Sequence, residues 1–370
     1  MAAATRRFVG LISGTSADGI DAALVGFDND RPRVLAARTR PYPPALREDV
    51  LRCSRREAAI DVDGFGRLDA ALGEAFAAAV LALLEHAGCP PGAVEAIGSH
   101  GQTLCHRIEG PLPYTLQLGD PGRIVERTGI TTVADFRRRD VAAGGHGAPL
   151  LPGFHAEALA SPSEARAVLN LGGIANLTLL APGEPVRGFD TGPANGLMDA
   201  WARAQGIGDY DAGGAFAASG RVDGELLERL LADPWFELSG PRSTGRDQFH
   251  IDWVRTALGD ARVAPADVQA TLCELSAATI ARALQRELPG ARTLVACGGG
   301  VHNPELLRRI QARLPGLRVE SSAAHGLDPD FVEAAGFAWL ARRTLDGLPG
   351  NCPEVTGAPG PRVLGAIHRA

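Results

Sequence analysis

Twice in this chain of 370 residues an apolar run stops on glycine and small polar residues and then resumes. The first instance is Phe8–Ile12, then Ser13-Gly14-Thr15-Ser16-Ala17-Asp18-Gly19, then Ile20–Phe27; the second is Val168–Leu171, the pair Gly172-Gly173, then Ala175–Leu180. Strand, tight polar turn and returning strand predict a β-hairpin in each. A plain hairpin needs one or two special residues, whereas the first tip crowds together Gly14, Thr15, Ser16, Asp18, Gly19 and Asp21. Backbone amides and hydroxyls at such a tip can cradle a phosphate, and Asp18 can hold Mg²⁺ through water. In the second hairpin Gly172 and Gly173 bring N–H groups to a ligand, with Asn176 and Thr178 as small polar donors. A third strand, Val186–Phe189, then ends on Asp190, an acid within reach of whatever that phosphate is attached to.

The second hairpin lies near the middle of a chain longer than a single core usually supports, which predicts two domains with an active site in the cleft between them. Hydrophobic residues at 45% and charged residues at 22% describe an ordinary globular protein. A formal charge of −6 carries no basic surplus and argues against a nucleic-acid partner. Every basic side chain among the 37 Lys+Arg is arginine. A P-loop lysine, a Schiff base and a lysine general base are thereby excluded. Cys53, Cys89, Cys105, Cys273, Cys297 and Cys352 form no C-x-x-C pair, as expected of idle thiols in a reducing compartment. No apolar run has the length of a signal peptide or a charge-free membrane span, so a cytoplasmic protein without a membrane partner is expected.

Further along, Phe65, Leu68, Leu72, Phe76, Val80 and Leu84 recur at helical spacing and predict a helix over 65–85. Ala96–Gly98 reads as a strand delivering Ser99-His100-Gly101-Gln102-Thr103, a small polar cluster where α/β sheets contact ligands. His100 and His106 have no matching pair of metal ligands in the sequence and read as structural or substrate-contact histidines. Tyr114–Leu118 is a further strand, and Asp120-Pro121 caps a helix ending near Gly129. Ile130–Ala134 is a strand delivering Asp135-Phe136-Arg137-Arg138-Arg139-Asp140 and the glycine loop Gly144-Gly145-His146-Gly147. Three successive arginines cannot all face one ligand; a solvated face and a clamp on an anionic substrate are both open readings. Asn195–Ala204, Val222–Leu231 and Pro265–Leu288 read as helices, and 239–247 as a polar loop able to line a cleft but without a distinctive signal. Thr293–Cys297 is a buried strand leading into Gly298-Gly299-Gly300, with Asn303-Pro304 opening a helix. Such a turn lets a flat or anionic ligand approach the backbone. Phe331–Leu345 is the last helix; Glu333 near its start suits the helix dipole whatever else it does.

Two glycine hairpins, an acid after the second and a late strand-Gly-Gly-Gly-helix make a nucleotide clamp without lysine. In this the chain is similar to the superfamily of sugar kinases, heat-shock chaperones and actin, with its duplicated βββαβα domains. Within it, Ser-Gly-Thr-Ser-Ala-Asp-Gly-Ile-Asp (13–21), Gly-Gln-Thr (101–103), Asp-Phe-Arg-Arg-Arg-Asp (135–140), Asn-Leu-Gly-Gly-Ile-Ala-Asn-Leu-Thr (170–178), Phe-Asp-Thr-Gly-Pro-Ala-Asn (189–195) and Cys-Gly-Gly-Gly (297–300) resemble the anhydro-N-acetylmuramic acid kinase family. The resemblance implies an α/β fold of two actin-like, ribonuclease H-like ATPase domains, each a mixed five-stranded sheet with flanking helices. The expected domains are 1–165 and 166–344, with residues 345–370 packing back on the first.

The resemblance further implies that ATP, with Mg²⁺, and water convert 1,6-anhydro-N-acetylmuramic acid to N-acetylmuramic acid 6-phosphate and ADP in cell-wall recycling. Asp190 matches the catalytic base. Gly14, Thr15, Ser16, Ala17, Asp18, Gly19, Ile20 and Asp21 match the phosphate hairpin, with Asp18 toward the metal. Asn170, Gly172, Gly173, Asn176, Gly298, Gly299 and Gly300 fall on the nucleotide side, and Gln102, Thr103, Arg137, Arg138 and Glu333 on the sugar side. A homodimer is the family expectation. Two positions depart from the family pattern: Ala17, where a larger apolar residue is expected, and His146, where glutamine is.

Overall fold

The computed structural model describes residues 5–14, 17–28, 31–54, 60–238, 240, 242, 244–245 and 248–370. Its strands are β1 (Arg6–Ser13), β2 (Gly19–Asp28), β3 (Arg31–Pro41), β4 (Ala96–Arg107), β5 (Tyr114–Leu118), β6 (Thr132–Ala134), β7 (Arg166–Leu171), β8 (Ile174–Leu180), β9 (Arg187–Pro193), β10 (Thr293–Cys297), β11 (Arg318–Ser321) and β12 (Ala366–His368). They form two mixed sheets in two compact units, Met1–Ala158 with Gly326–Ala370, and Leu159–His325. Among the described residues no helix is long and apolar enough to cross a membrane.

In the first unit the order is β12-β6-β4-β1-β2-β3, with β5 paired to β4. β1, β2 and β3 form an antiparallel meander, and β4 and β6 add in parallel beyond β1. The second sheet repeats this frame: β7, β8 and β9 are the meander, and β10 and β11 add in parallel beyond β7. The expected five strands hold for the second sheet; the first has seven. The extra strands are β5, which pairs antiparallel with the extension of β4, and β12, where Ala366 to His368 cover the free edge of β6.

β1 is buried on both faces, and its alternate residues meet different helices. Val9 and Leu11 share a core with Leu72, Phe76 and Val80 of the helix Val62–His86, whose start is capped by Asp61 accepting from the Gly64 amide at 2.7 Å. Phe76 is wholly buried there, so truncation to alanine costs about 3–5 kcal/mol. On the other face Gly10, paired with Gly98 of β4, leaves room for the helix Val332–Leu345 to lie directly on the sheet. A Cβ at Gly10 would run into the Ala334 carbonyl, and one at Gly98 into that of Phe337.

That contact corrects the domain boundary expected at 344: residues 326–344 belong with the first unit, because the helix buries its small-residue face on β1 and β4. The tail continues there, with Arg139 donating to the Val363 carbonyl at 2.9 Å and Thr344 to that of Leu364 at 2.6 Å. Residues 159–165 in turn fall in the second unit, where Arg166 donates to the Leu159 carbonyl at 3.1 Å.

Candidate active site

In the first unit the β1–β2 turn is closed by the Ala17 amide donating to the Gly14 carbonyl at 3.1 Å. Thr15 and Ser16 lie outside the described residues. Ala17 is wholly buried with a left-handed φ of 51°, a conformation costly for a residue with a Cβ. Asp18 is exposed and pairs with Arg47 at 2.8 Å, and the same arginine holds the Ala17 carbonyl at 3.0 Å. Gly19 and Ile20 begin β2. Asp21 accepts from Thr39 Oγ1 at 2.6 Å; burial and the nearby charge of Asp330 push its pKa up against that bond.

Gln102 is completely buried, with its amide donating to the Gly14 carbonyl at 3.2 Å and its oxygen accepting from the Tyr42 hydroxyl at 3.2 Å. Its amide thus ties β4 to the β1–β2 turn. Thr103 Oγ1 accepts from Gln117 at 3.2 Å.

The three arginines separate. Arg137 turns inward and donates from Nε to His100 Nε2 at 3.0 Å and from Nη1 to the Gly147 carbonyl at 2.7 Å. Burial pulls its pKa down to about 10, against the opposing charges of Glu333 and Asp140. Arg138 stays half exposed, 3.5 Å from Asp135, and lines a pocket with Ser99, Gln117 and His368. Arg139 is bonded to the tail. His100 contacts the Gly101 carbonyl through Nδ1 at 2.8 Å, so Nδ1 carries the proton and Nε2 accepts. Burial and Arg137 hold its pKa well below the usual histidine range.

Asp140, fully buried, organises the glycine loop. One oxygen accepts from Asn351 at 2.7 Å and Thr356 at 2.9 Å, and the other from the Gly147 amide at 2.7 Å. The His146 amide donates to the Thr356 carbonyl at 2.7 Å, so this loop is held by the tail. Nothing local in the sequence announces that role, since Asn351 and Thr356 are more than 200 positions away.

In the second unit Asn170, Asn176 and Asp190 form a row. Asn170 of β7 lies opposite Asn176 of β8, and Asn176 opposite Asp190 of β9. All three are half-buried among wholly buried neighbours such as Leu169, Leu177 and Phe189. β9 does not end at Asp190 as the sequence suggested; it runs on to Pro193. Thr191 is an extra residue between the pairs Asn176–Asp190 and Ala175–Gly192, a bulge of the kind that re-aims a side chain.

The Gly172 carbonyl accepts from the Asn195 amide at 3.1 Å and the Gly173 carbonyl from those of Ala194 and Gly196 at 3.0 and 3.1 Å, at the start of the helix Asn195–Ala204. Gly298 has φ +81°, and a Cβ there would run into Asn170 Oδ1; a Cβ at Gly300 would meet Leu171. Only Gly299 of the three faces open space. The triple glycine therefore serves mainly close packing against the end of β7, and a 3₁₀ turn, Gly299–His302, separates it from the helix Pro304–Arg313.

The sequence marks 239–247 as a polar loop able to line a cleft but singles out neither Arg242 nor Thr244. The Asp190 amide donates to the Arg242 carbonyl at 3.0 Å, and Arg242 Nε donates back to the Asp190 carbonyl at 2.9 Å. The Thr244 amide donates to Asp190 Oδ2 at 2.9 Å. The available signal was Arg242 itself, set in a loop of small residues between aromatic segments. Among the described residues no group of three or more His, Cys, Asp or Glu could hold a metal.

The family model described as anhydro-N-acetylmuramic acid kinase matches residues 6–370. The anhydro-N-acetylmuramic acid kinase of Xanthomonas axonopodis pv. citri is 57% identical over 98% of this chain and 98% of its own, and that of Pseudomonas paraeruginosa is 48% identical over 98% and 99%. Among solved structures, component A of the Acidaminococcus fermentans (R)-2-hydroxyglutaryl-CoA dehydratase matches at a TM-score of 0.46 and 12% identity, over 90% of this chain and 96% of its own. That likeness is too loose to place residues. The sequence matches, running over nearly the whole length on both sides, establish that the chain belongs to the anhydro-N-acetylmuramic acid kinase family.

Proposed function

We propose that Asp190 is the general base through which this chain carries out its family's reaction. That reaction is ATP-dependent opening of 1,6-anhydro-N-acetylmuramic acid by water with phosphorylation of O6, giving N-acetylmuramic acid 6-phosphate and ADP, a step of peptidoglycan recycling. The supporting observation is the fixed carboxylate: Asp190 sits at a bulge, in line with Asn176 and Asn170, with Oδ2 bound to the Thr244 amide.

Asp190 takes a proton from the water as its oxygen bonds to C1. The C1–O6 bond breaks, its electron pair stays on O6, and O6 bonds to the γ-phosphorus as ADP departs. Inverting glycosidases need a second carboxylic acid to protonate the leaving oxygen; capture by phosphorus replaces that proton, so one carboxylate suffices.

The β1–β2 turn, with Gly14, Thr15, Ser16, Ala17, Gly19 and Ile20, takes the phosphates, and the N–H side of Gly172-Gly173 and the open face at Gly299 take the nucleotide. Arg137 and Arg138 face the sugar and its lactyl carboxylate, Gln102 and Thr103 contact the sugar, and Glu333 supports the substrate or the water. Arg137, desolvated and braced by His100, is the better preorganised of the two cations. Mg²⁺, when bound, would neutralise phosphate charge. Asp18 supplies a hard oxygen suited to it through water, and its ion pair with Arg47 is exposed and weak enough to yield. The shared strand frame of the two sheets supports a duplicated actin-like fold.

Competing phosphorylation of sugars tests the reading. The anhydro-sugar is expected to react while N-acetylmuramic acid with a free 6-hydroxyl does not; equal rates would indicate a kinase in which Asp190 deprotonates a hydroxyl.

A further inference from the structure

We propose that Arg242 is a positioning residue for Asp190, fixing its backbone at the bulge and biasing its carboxylate toward the ionised form. The inference rests on Asp190 being the base, and it assigns a task to a loop that no sequence motif marks.

Arg242 is 9% exposed, and its contacts account for that burial. Nε reaches the Asp190 carbonyl at 2.9 Å, Nη1 the Leu238 carbonyl, and the guanidinium lies over Phe189 at 4.7 Å and Trp235 at 5.4 Å. Carbonyls and aromatic faces are what a planar cation uses when taken out of water. The main chain of Arg242 also accepts from the Asp190 amide at 3.0 Å, so the two residues are joined reciprocally.

The location of this bond pair matters. The extra residue Thr191 breaks the β8–β9 ladder beside Asp190, and Arg242 restores definition to that point of the chain. Two residues on, Thr244 supplies the amide to Oδ2, and its hydroxyl donates to Gln248 Oε1 at 2.7 Å. Displacing Arg242 therefore moves the carboxylate's own donor. Among the described residues the charged groups around the guanidinium include Arg286, Glu287 and Asp190, and Glu237 and Arg282 line the same pocket; burial and Arg286 destabilise its charge, and Glu287 and Asp190 support it. By reciprocity the guanidinium supports the carboxylate form of Asp190.

The test compares Arg242→Met, Arg242→Lys and Asp190→Asn in the full chain, measuring kcat, KM for both substrates, ATP affinity, thermal unfolding and the acid limb of kcat against pH. Arg242→Met is expected to lower kcat by about 10- to 100-fold, the usual cost of a misplaced catalytic group, with ATP affinity kept. Its acid limb should move to higher pH, because losing the cation makes Asp190 easier to protonate. Arg242→Lys should leave the limb near its wild-type position yet recover only part of kcat, since an ammonium keeps the charge without the planar fork. Should Arg242→Met fail to fold, Arg242→Lys decides: wild-type kcat in that variant overturns the proposal. A folded Arg242→Met with wild-type kcat, or with a lowered melting temperature and an unmoved limb, overturns it as well. Near-normal turnover in Asp190→Asn would instead overturn the base assignment, so the two failures are distinguishable.

Discussion

Arg137 donates from Nε to Nε2 of His100 at 3.0 Å, which holds that imidazole neutral with its proton on Nδ1. The histidine is thus a brace for the arginine, and it performs that task only while unprotonated. His106 and His155 share its condition, each with a pKa lowered to about 4, mainly by burial.

An acid sensitivity of the first unit follows. The folded-state values lie below the unfolded value of about 6.5, so the unfolded chain binds more protons once the pH falls below that value. Stability is complete above about pH 6.5 and is lost between there and pH 4. For the deeply buried His155 the loss is about 2 kcal/mol at pH 5, on the order of the linkage energy for such a shift. Amide exchange of β1 and β4 followed from pH 7.5 to 5 should accelerate accordingly, and a His155→Asn variant should show a shallower dependence. Protection independent of pH would contradict the assignment of neutral buried histidines.

Asp140 should be among the most costly positions outside the second unit. Alanine there removes three hydrogen bonds and leaves the Asn351 amide, the Thr356 hydroxyl and the Gly147 amide without their acceptor. A loss of about 3–5 kcal/mol is expected in denaturant unfolding, with sugar binding weakened further because Gly147 also holds Arg137. A change under 1 kcal/mol would show that the loop has another anchor.

The glycines at 298 and 299 should behave oppositely. Gly298→Ala forces a Cβ onto Asn170 at a left-handed φ and should cost about 2 kcal/mol or more of stability. Gly299→Ala meets open space and should change stability by no more than about 0.5 kcal/mol while raising the KM for ATP. Unaltered ATP kinetics in a stable Gly299→Ala would place the nucleotide elsewhere.

Asp190→Asn keeps the shape of the side chain and its acceptor for Thr244 but cannot take a proton. Turnover should fall by at least about 10², the usual contribution of a general base, while ATP binding measured by titration is retained.

What could be read from the sequence was local. Both hairpins, the strands Tyr114–Leu118 and Thr293–Cys297 and the helix Asn195–Ala204 stand where their apolar spacing and glycine punctuation put them. β3 escaped because its residues alternate only weakly, with arginine at 31, 33, 38 and 40 on a largely exposed strand. The last helix was placed in the wrong unit because its partners, Gly10 and Gly98, lie more than 200 residues upstream. Likewise Asp190 was legible as an acid at an apolar strand, though it lies within β9 rather than after it, and Arg242 and Thr244 reach it from 52 and 54 positions away, through a loop whose polarity carries no period.

The most direct measurement is the reaction run in ¹⁸O-labelled water with ATP and 1,6-anhydro-N-acetylmuramic acid, recording the label and the first-formed anomer of the product by NMR. One displacement by a water activated at Asp190 predicts ¹⁸O at the C1 hydroxyl, inverted configuration at C1 and unlabelled O6 carrying the phosphate. Retained configuration, or label at O6, would contradict it.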